Sequence, residues 1–70
     1  MVTRPRKRSF DIKGHRTSVS LEEPFWTALR EIAAQRGKTV ARLVEEIDRS
    51  RSEMGLSGAI RVHVLAHYRA

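Results

Sequence analysis

The chain has 70 residues, 40% of them hydrophobic, no cysteine and a formal net charge of +6. This length gives one domain, and without cysteine neither disulfides nor thiolate metal sites can stabilise so small a core, so we expect oligomerisation to complete it. No apolar run is long enough to predict a membrane span or a secretory signal, and we expect a cytoplasmic protein located at the nucleoid.

The charge excess lies at one end of the chain. Residues 1–20 hold six Lys or Arg against one Asp. A basic stretch of this kind favours an anionic partner such as nucleic acid, although it could also serve solubility alone. Residues 1–8, with Pro5, are predicted to be a flexible basic arm that precedes a domain over 9–70 and can reach DNA phosphates.

Two alternating stretches follow the arm, and they are out of phase. Phe10 and Ile12 occupy even positions, whereas Thr17, Val19 and Leu21 occupy odd ones. A single uninterrupted strand would send these two apolar sets to opposite faces. Either Gly14-His15 forms a hairpin turn or Gly14 marks a bend; we favour the bend, because a hairpin would occupy the edge needed by a partner chain.

Residues 16–21 are predicted to be a strand with one apolar and one polar face. Arg16, Ser18 and Ser20 form its polar face. One short strand cannot satisfy its backbone hydrogen bonds alone. The simplest source of a partner strand is a second copy of the chain.

Three helices are predicted, at about 23–36, 39–50 and 57–69. The first has Pro24 in its opening turn and ends before Gly37. Thr39 is expected to cap the second, and exposed amides there, beside Lys38, could bind a phosphate. Leu56-Ser57 resembles a staple residue and an N-cap for the third helix, whose wide apolar coverage indicates packing on more than one side.

A strand, a helix that ends at glycine and a capped second helix resemble the ribbon-helix-helix DNA-binding family, which includes the Arc and methionine repressors. The resemblance covers about residues 16–48. The matching residues are Arg16-Thr17-Ser18-Val19-Ser20-Leu21, Phe25-Trp26, Leu29, Ile32-Ala33, Gly37, Thr39 and Leu43-Val44. The stretch from Lys7 to Ser18 is similar to a compact, bacterial, single-domain subgroup.

The resemblance implies a mainly α fold with one short N-terminal strand, in which two protomers pair their strands as an intermolecular antiparallel ribbon, plus a third C-terminal helix. The polar face of the ribbon would read bases in the major groove, and this homodimer would act as a sequence-specific transcriptional repressor. The implied base-reading residues are Arg16, Ser18 and Ser20. Phosphate contacts are expected at Arg4, Arg6, Lys7, Arg8, Lys13, His15, Lys38, Thr39 and Val40.

Other functions have less support in the sequence. His63 and His67 share a helix face and could ligate a metal, but two ligands are too few, so no metal or cofactor is expected. The sequence has no nucleophile elbow, phosphate-binding Gly loop or metal triad, so we do not expect an enzyme. The alternatives are an antitoxin that binds a toxin and represses its own operon, and a nonspecific nucleic-acid-binding or assembly module.

Overall fold

The computed structural model describes residues 4–51 and 53–70. Within them the order of elements is β1 (Arg6–Ile12), β2 (His15–Leu21), α1 (Glu23–Gln35), α2 (Val40–Ser50) and α3 (Leu56–Arg69). The two strands form one antiparallel sheet. The prediction of a single strand was therefore wrong, because the partner strand of β2 comes from the same chain.

β1 and β2 are joined by a hairpin turn rather than by the bend that we favoured. Ile12 faces His15 across the turn, which consists of Lys13 and Gly14 with φ angles of 52° and 81°. Positive φ at both central residues defines the type I′ turn, whose twist matches that of the flanking strands. This turn also resolves the phase conflict, since pairing residue 12 with residue 15 places even positions of β1 and odd positions of β2 on the same face.

Some of the basic residues before Phe10 belong to a strand rather than to a flexible arm. β1 begins at Arg6, inside the range predicted for the arm, while Met1–Thr3 lie outside the described residues. The indole Nε1–H of Trp26 donates to the carbonyl oxygen of Arg6 at 3.0 Å, and the Arg8 guanidinium lies 5.2 Å from the Trp26 ring centroid. A buried tryptophan on α1 thus fixes a segment whose composition alone suggested mobility.

The helix boundaries follow the local signals closely. Gly37, at φ 66°, terminates α1, and the Lys38 N–H donates to the Ala33 carbonyl at 3.0 Å, as in a glycine-terminated helix end. The Thr39 hydroxyl caps α2 by accepting from the Arg42 N–H at 3.1 Å. The cap predicted for α3 was wrong: its N-cap is Gly55.

The core is built by all five elements of one chain. Its fully buried large side chains come from β2, α1, α2 and α3, and Ile12 of β1 adds to it. α3 packs on β2, α1 and α2. Burial of this apolar surface supplies the main stabilising free energy. The largest members are Trp26, Leu21, Leu29, Ile32, Leu43, Ile60, Val19 and Val44.

Candidate nucleic-acid interface

The hairpin presents a polar face to solvent. The strand register pairs Lys7 with Ser20, Ser9 with Ser18 and Asp11 with Arg16, and directly opposed residues share a face. All are exposed except Ser20, which is half-buried. The predicted base-reading residues therefore lie together on one surface. We call this surface the outer face, formed by Lys7, Ser9, Asp11, Arg16, Ser18 and Ser20.

The outer face includes an acidic residue that our site prediction did not contain. Asp11 lies opposite Arg16, with an Nη1–Oδ1 distance of 3.5 Å. Both side chains are more than 70% exposed, at 72% for Arg16 and 74% for Asp11. An ion pair so open to water is worth about 0–1 kcal/mol, so Arg16 can leave it at little cost to contact a ligand.

The edge of β2 that faces away from β1 is partly open. In a hairpin with a two-residue turn the flanking pair is hydrogen-bonded, and such pairs alternate along an antiparallel ladder. Arg16, Ser18 and Ser20 therefore direct their N–H and C=O groups away from β1. At Ser20, helix α3 satisfies these groups: the N–H donates to the Ser57 hydroxyl at 3.2 Å, and Arg61 donates to the carbonyl at 3.3 Å.

The backbone groups of Arg16 and Ser18 on the same edge form no hydrogen bond with any other part of the described chain. Such an edge is a template for pairing with another strand. Ser57, which we predicted to be a helix cap, instead accepts from the Ser20 N–H, so the open part of the edge ends before Ser20.

The basic residues predicted to contact phosphates are divided between the two faces of the hairpin. Lys7 lies on the outer face and Lys13 in the turn, whereas Arg6, Arg8 and His15 lie on the opposite face with the apolar side chains. Arg4 precedes β1 and is exposed. Of this group, Lys7 is the cation that shares a surface with Arg16.

The start of α2 is less basic than its sequence suggests. The Lys38 ammonium donates to both carboxylate oxygens of Glu46, at 2.7 Å and 2.8 Å. This hydrogen bond is the main cause that lowers the pKa of the Glu46 carboxyl below its ordinary value of 4.5. Thr39 uses its hydroxyl for the cap, and Val40 begins the helix with an N–H that has no intrahelical acceptor. The groups left without a partner at this helix start are therefore backbone amides, whereas the Lys38 charge is already paired.

The outer surface of α2 is neutralised by ion pairs at helical spacing. Arg42 and Arg49 both contact Glu45, at 3.3 Å and 3.4 Å, and Arg51 contacts Asp48 at 2.6 Å. The basic charge is therefore concentrated on the hairpin and on Arg4 before it. Charge on the folded surface thus follows the asymmetry of the sequence.

The two C-terminal histidines have different surroundings. His67 Nε2 lies 3.1 Å from the Gln35 Oε1 on α1. Burial, together with the nearby charges of Arg36 and His67, lowers the pKa of His63 below 6.5. Across residues 4–51 and 53–70, no three His, Asp or Glu side chains are grouped as metal ligands.

Comparison with known proteins identifies the family to which this chain belongs. The sequence profile described as "Ribbon-helix-helix domain" matches residues 5–68. The chain belongs to the ribbon-helix-helix domain family, as its resemblance predicted, and this is a DNA-binding family.

A solved structure gives a second comparison. The chain is similar to an uncharacterized protein from Bordetella pertussis Tohama I, with 32% sequence identity and a TM-score of 0.79. The similarity covers 93% of this chain and 56% of that one, so the chain spans little more than half of that protein's length. No curated protein matches. None of the helices in the described part of the chain is long and apolar enough to span a bilayer.

Proposed function

We propose that this chain is a homodimeric, sequence-specific DNA-binding transcriptional repressor. The observation that carries the proposal is the position of Arg16 and Ser18. Their side chains lie on the basic outer face, and their backbone groups lie on the open edge of β2. One strand therefore provides both the surface for DNA and the edge for a second copy.

The proposed dimer joins the open edges of two β2 strands. Because α3 already satisfies the backbone of Ser20, the pairing that leaves that contact intact joins Arg16 of each copy to Ser18 of the other, with the two-fold axis at Thr17. The result is a four-stranded sheet with the β2 strands in the middle. It differs from the two-stranded ribbon we predicted in having a β1 strand on each side.

The dimensions of DNA then assign roles to the strands. Strands lie about 4.8 Å apart, so the outer strands are separated by about 14 Å, against a major groove about 12 Å wide. The central strands would bring Arg16 and Ser18 to the base edges, where arginine bonds guanine O6 and N7. The β1 strands would lie over the groove walls, where Lys7 meets phosphates. Ser20, half-buried beside α3, would contribute less.

The remaining phosphate contacts are proposed at Arg4, at Lys13 in the turn, and at the amides of Thr39 and Val40 at the start of α2. Bound in this way, the dimer would cover promoter DNA and block access to it. Repression is therefore proposed to be steric.

The experiment that tests this proposal is selection of binding sites from a random duplex pool, followed by titration of recovered sites at several salt concentrations. We expect a palindromic motif, since a two-fold protein binds a two-fold site. Binding with a steep salt dependence but no motif would contradict sequence-specific regulation and support the nonspecific module.

Arg16→Ala tests the assigned reader. We expect it to weaken binding to the selected site by about 1–3 kcal/mol and binding to random DNA much less, as is usual for loss of a base contact. Arg30→Ala is the matched control, because it removes the same charge from the exposed surface of α1. Equal losses on selected and random DNA would remove Arg16 from the base-reading role.

A further inference from the structure

Helix α3 exposes apolar side chains although its other side is buried in the core. Val62, Leu65 and Tyr68 are 54%, 55% and 51% exposed, respectively. Ile60 and Val64 of the same helix are buried. Clustered exposed apolar groups on a small domain mark a surface that another molecule covers. We call the surface of Val62, Leu65 and Tyr68 the α3 face.

A shallow apolar groove runs along this face beside α1. Phe25 of α1 forms its other wall, together with Arg61 and Val64 of α3. The bottom and sides of the groove are therefore mostly hydrocarbon. A covering surface would have to be apolar as well, which excludes the polyanionic backbone of DNA as its partner.

The polar groups around the groove already have partners. Arg61 donates to the Glu22 carboxylate at 2.9 Å and lies 5.7 Å from the Phe25 ring centroid. The Tyr68 hydroxyl donates to Glu31 at 2.9 Å. Covering the groove would therefore avoid leaving these side chains buried without a partner, which is the usual cost of burying polar atoms.

The α3 face adjoins the open edge of β2. Arg61, which donates to the Ser20 carbonyl on that edge, lies on α3 about one turn before Leu65 and about two turns before Tyr68. A strand that pairs with Arg16 and Ser18 must lie on the side of β2 on which α3 is located. The helix and the strand edge thus form one continuous surface.

We propose that the α3 face packs against the same face of a second copy, about the two-fold axis that relates the β2 strands. The inference rests on the proposed homodimer and names the rest of its interface. A surface repeated by two-fold symmetry has to be complementary to itself, and an apolar groove with neutralised rim charges meets this condition. Pairing of the two β2 strands through four hydrogen bonds buries far less surface than the roughly 800 Å² per partner of a stable interface. Contact between the two α3 faces supplies the remaining buried area.

Leu65→Glu tests the proposal by sedimentation equilibrium. Placing two carboxylates in the apolar contact should raise the dimer dissociation constant by about 100-fold or more, since each copy loses a buried leucine. Ala34→Glu is the matched control: it also adds one carboxylate to an exposed helical position, on α1, and should leave dimerisation unchanged. Circular dichroism of both variants checks that they remain helical.

The outcomes separate this inference from the proposed function. If the unaltered chain is monomeric throughout the concentration range, the homodimer itself is wrong. If the unaltered chain and Leu65→Glu dimerise equally, the homodimer stands and the α3 face is not part of it. In that case a different protein, such as the toxin of the antitoxin alternative, becomes the expected partner of this face.

Crosslinking keeps the proposal testable if Leu65→Glu fails to fold. The chain has no cysteine, so Leu65→Cys introduces a unique thiol. Because two-fold packing brings the two α3 faces together, we expect a short bis-maleimide to crosslink Leu65→Cys into dimers much faster than Ala34→Cys. Equal rates for the two variants would overturn the proposal.

Discussion

Lys38 and Glu46, eight residues apart in sequence, form a two-contact ion pair across the start of α2, with Nζ 2.7 Å and 2.8 Å from the two carboxylate oxygens. The pair occupies the lysine that was predicted to contact a phosphate. Glu46 therefore competes with any phosphate for the Lys38 ammonium. Breaking the pair should free the Lys38 ammonium to contact a phosphate together with the amides of the helix start.

Glu46→Gln should accordingly strengthen binding to random duplex DNA by about 5-fold at low salt, since Lys38 becomes available to a phosphate and Arg42 loses one of its two carboxylate partners. Fluorescence anisotropy with a labelled duplex measures the effect. Glu53→Gln is the control, because it removes the same charge from an exposed position that forms no ion pair with the described residues. Equal gains for both variants would show that net charge, rather than Lys38, is responsible.

Two substitutions in the turn between the strands should change the free energy of unfolding in opposite directions. Lys13→Asn should raise the free energy of unfolding by about 0.5 kcal/mol, because asparagine tolerates positive φ and Asn-Gly is the preferred type I′ pair. Gly14→Ala should lower it by about 1–2 kcal/mol through the cost of a Cβ at φ 81°, although the surrounding space is open. Urea denaturation of the two variants measures both changes in the free energy of unfolding. Stabilisation by Gly14→Ala would show that the positive φ is not needed.

Trp26→Phe tests what fixes β1. The substitution keeps an aromatic ring against Phe10 but removes the N–H that donates to the Arg6 carbonyl. We expect a loss of about 1–2 kcal/mol in the free energy of unfolding, from the lost hydrogen bond and the smaller ring. Amide hydrogen exchange should speed up most in the first half of β1. Uniform acceleration across the chain would instead indicate general loss of core packing.

Stability should decrease as pH falls below neutrality because of His63. Burial lowers its pKa in the folded chain, while the unfolded chain keeps the ordinary value of 6.5. Between these two pKa values the unfolded state binds more protons, so acidification favours unfolding. Above about pH 6.5, His63 is neutral in both states and causes no loss of stability. Below the pKa of His63 in the folded chain, the loss of stability has reached its full value.

Urea midpoints at about pH 7.5 and about pH 5.5 measure this dependence. We expect His63→Gln to reduce the difference between the two midpoints. His15→Gln, at an exposed position, should leave that difference unchanged. A pH dependence unaffected by His63→Gln would assign it to other groups.

The residues predicted to contact DNA show how much of the candidate site could be predicted from the sequence. Arg16, Ser18 and Ser20 share a face because alternation along a strand is a local property, and the structure places them as expected. Asp11 joins that face only through the hairpin register. Lys38 appeared free in the sequence because nothing local indicates that a carboxylate two helical turns away will bind it.

By itself the sequence determined the three helices, the polar face of β2 and the family, because helical periodicity, N-caps, a terminating glycine and strand alternation all act within a few residues. Only the tertiary structure decided which strand pairs with β2, that Ser57 serves Ser20 rather than its own helix, and that Trp26 holds Arg6 in a strand. Each of these depends on groups more than a dozen residues apart or on a choice between two turns of similar propensity. Such choices are settled by packing and backbone hydrogen bonding across the whole domain, where the burial of Ile12 in the same core as Val19 and Leu21 favours the hairpin over the bend.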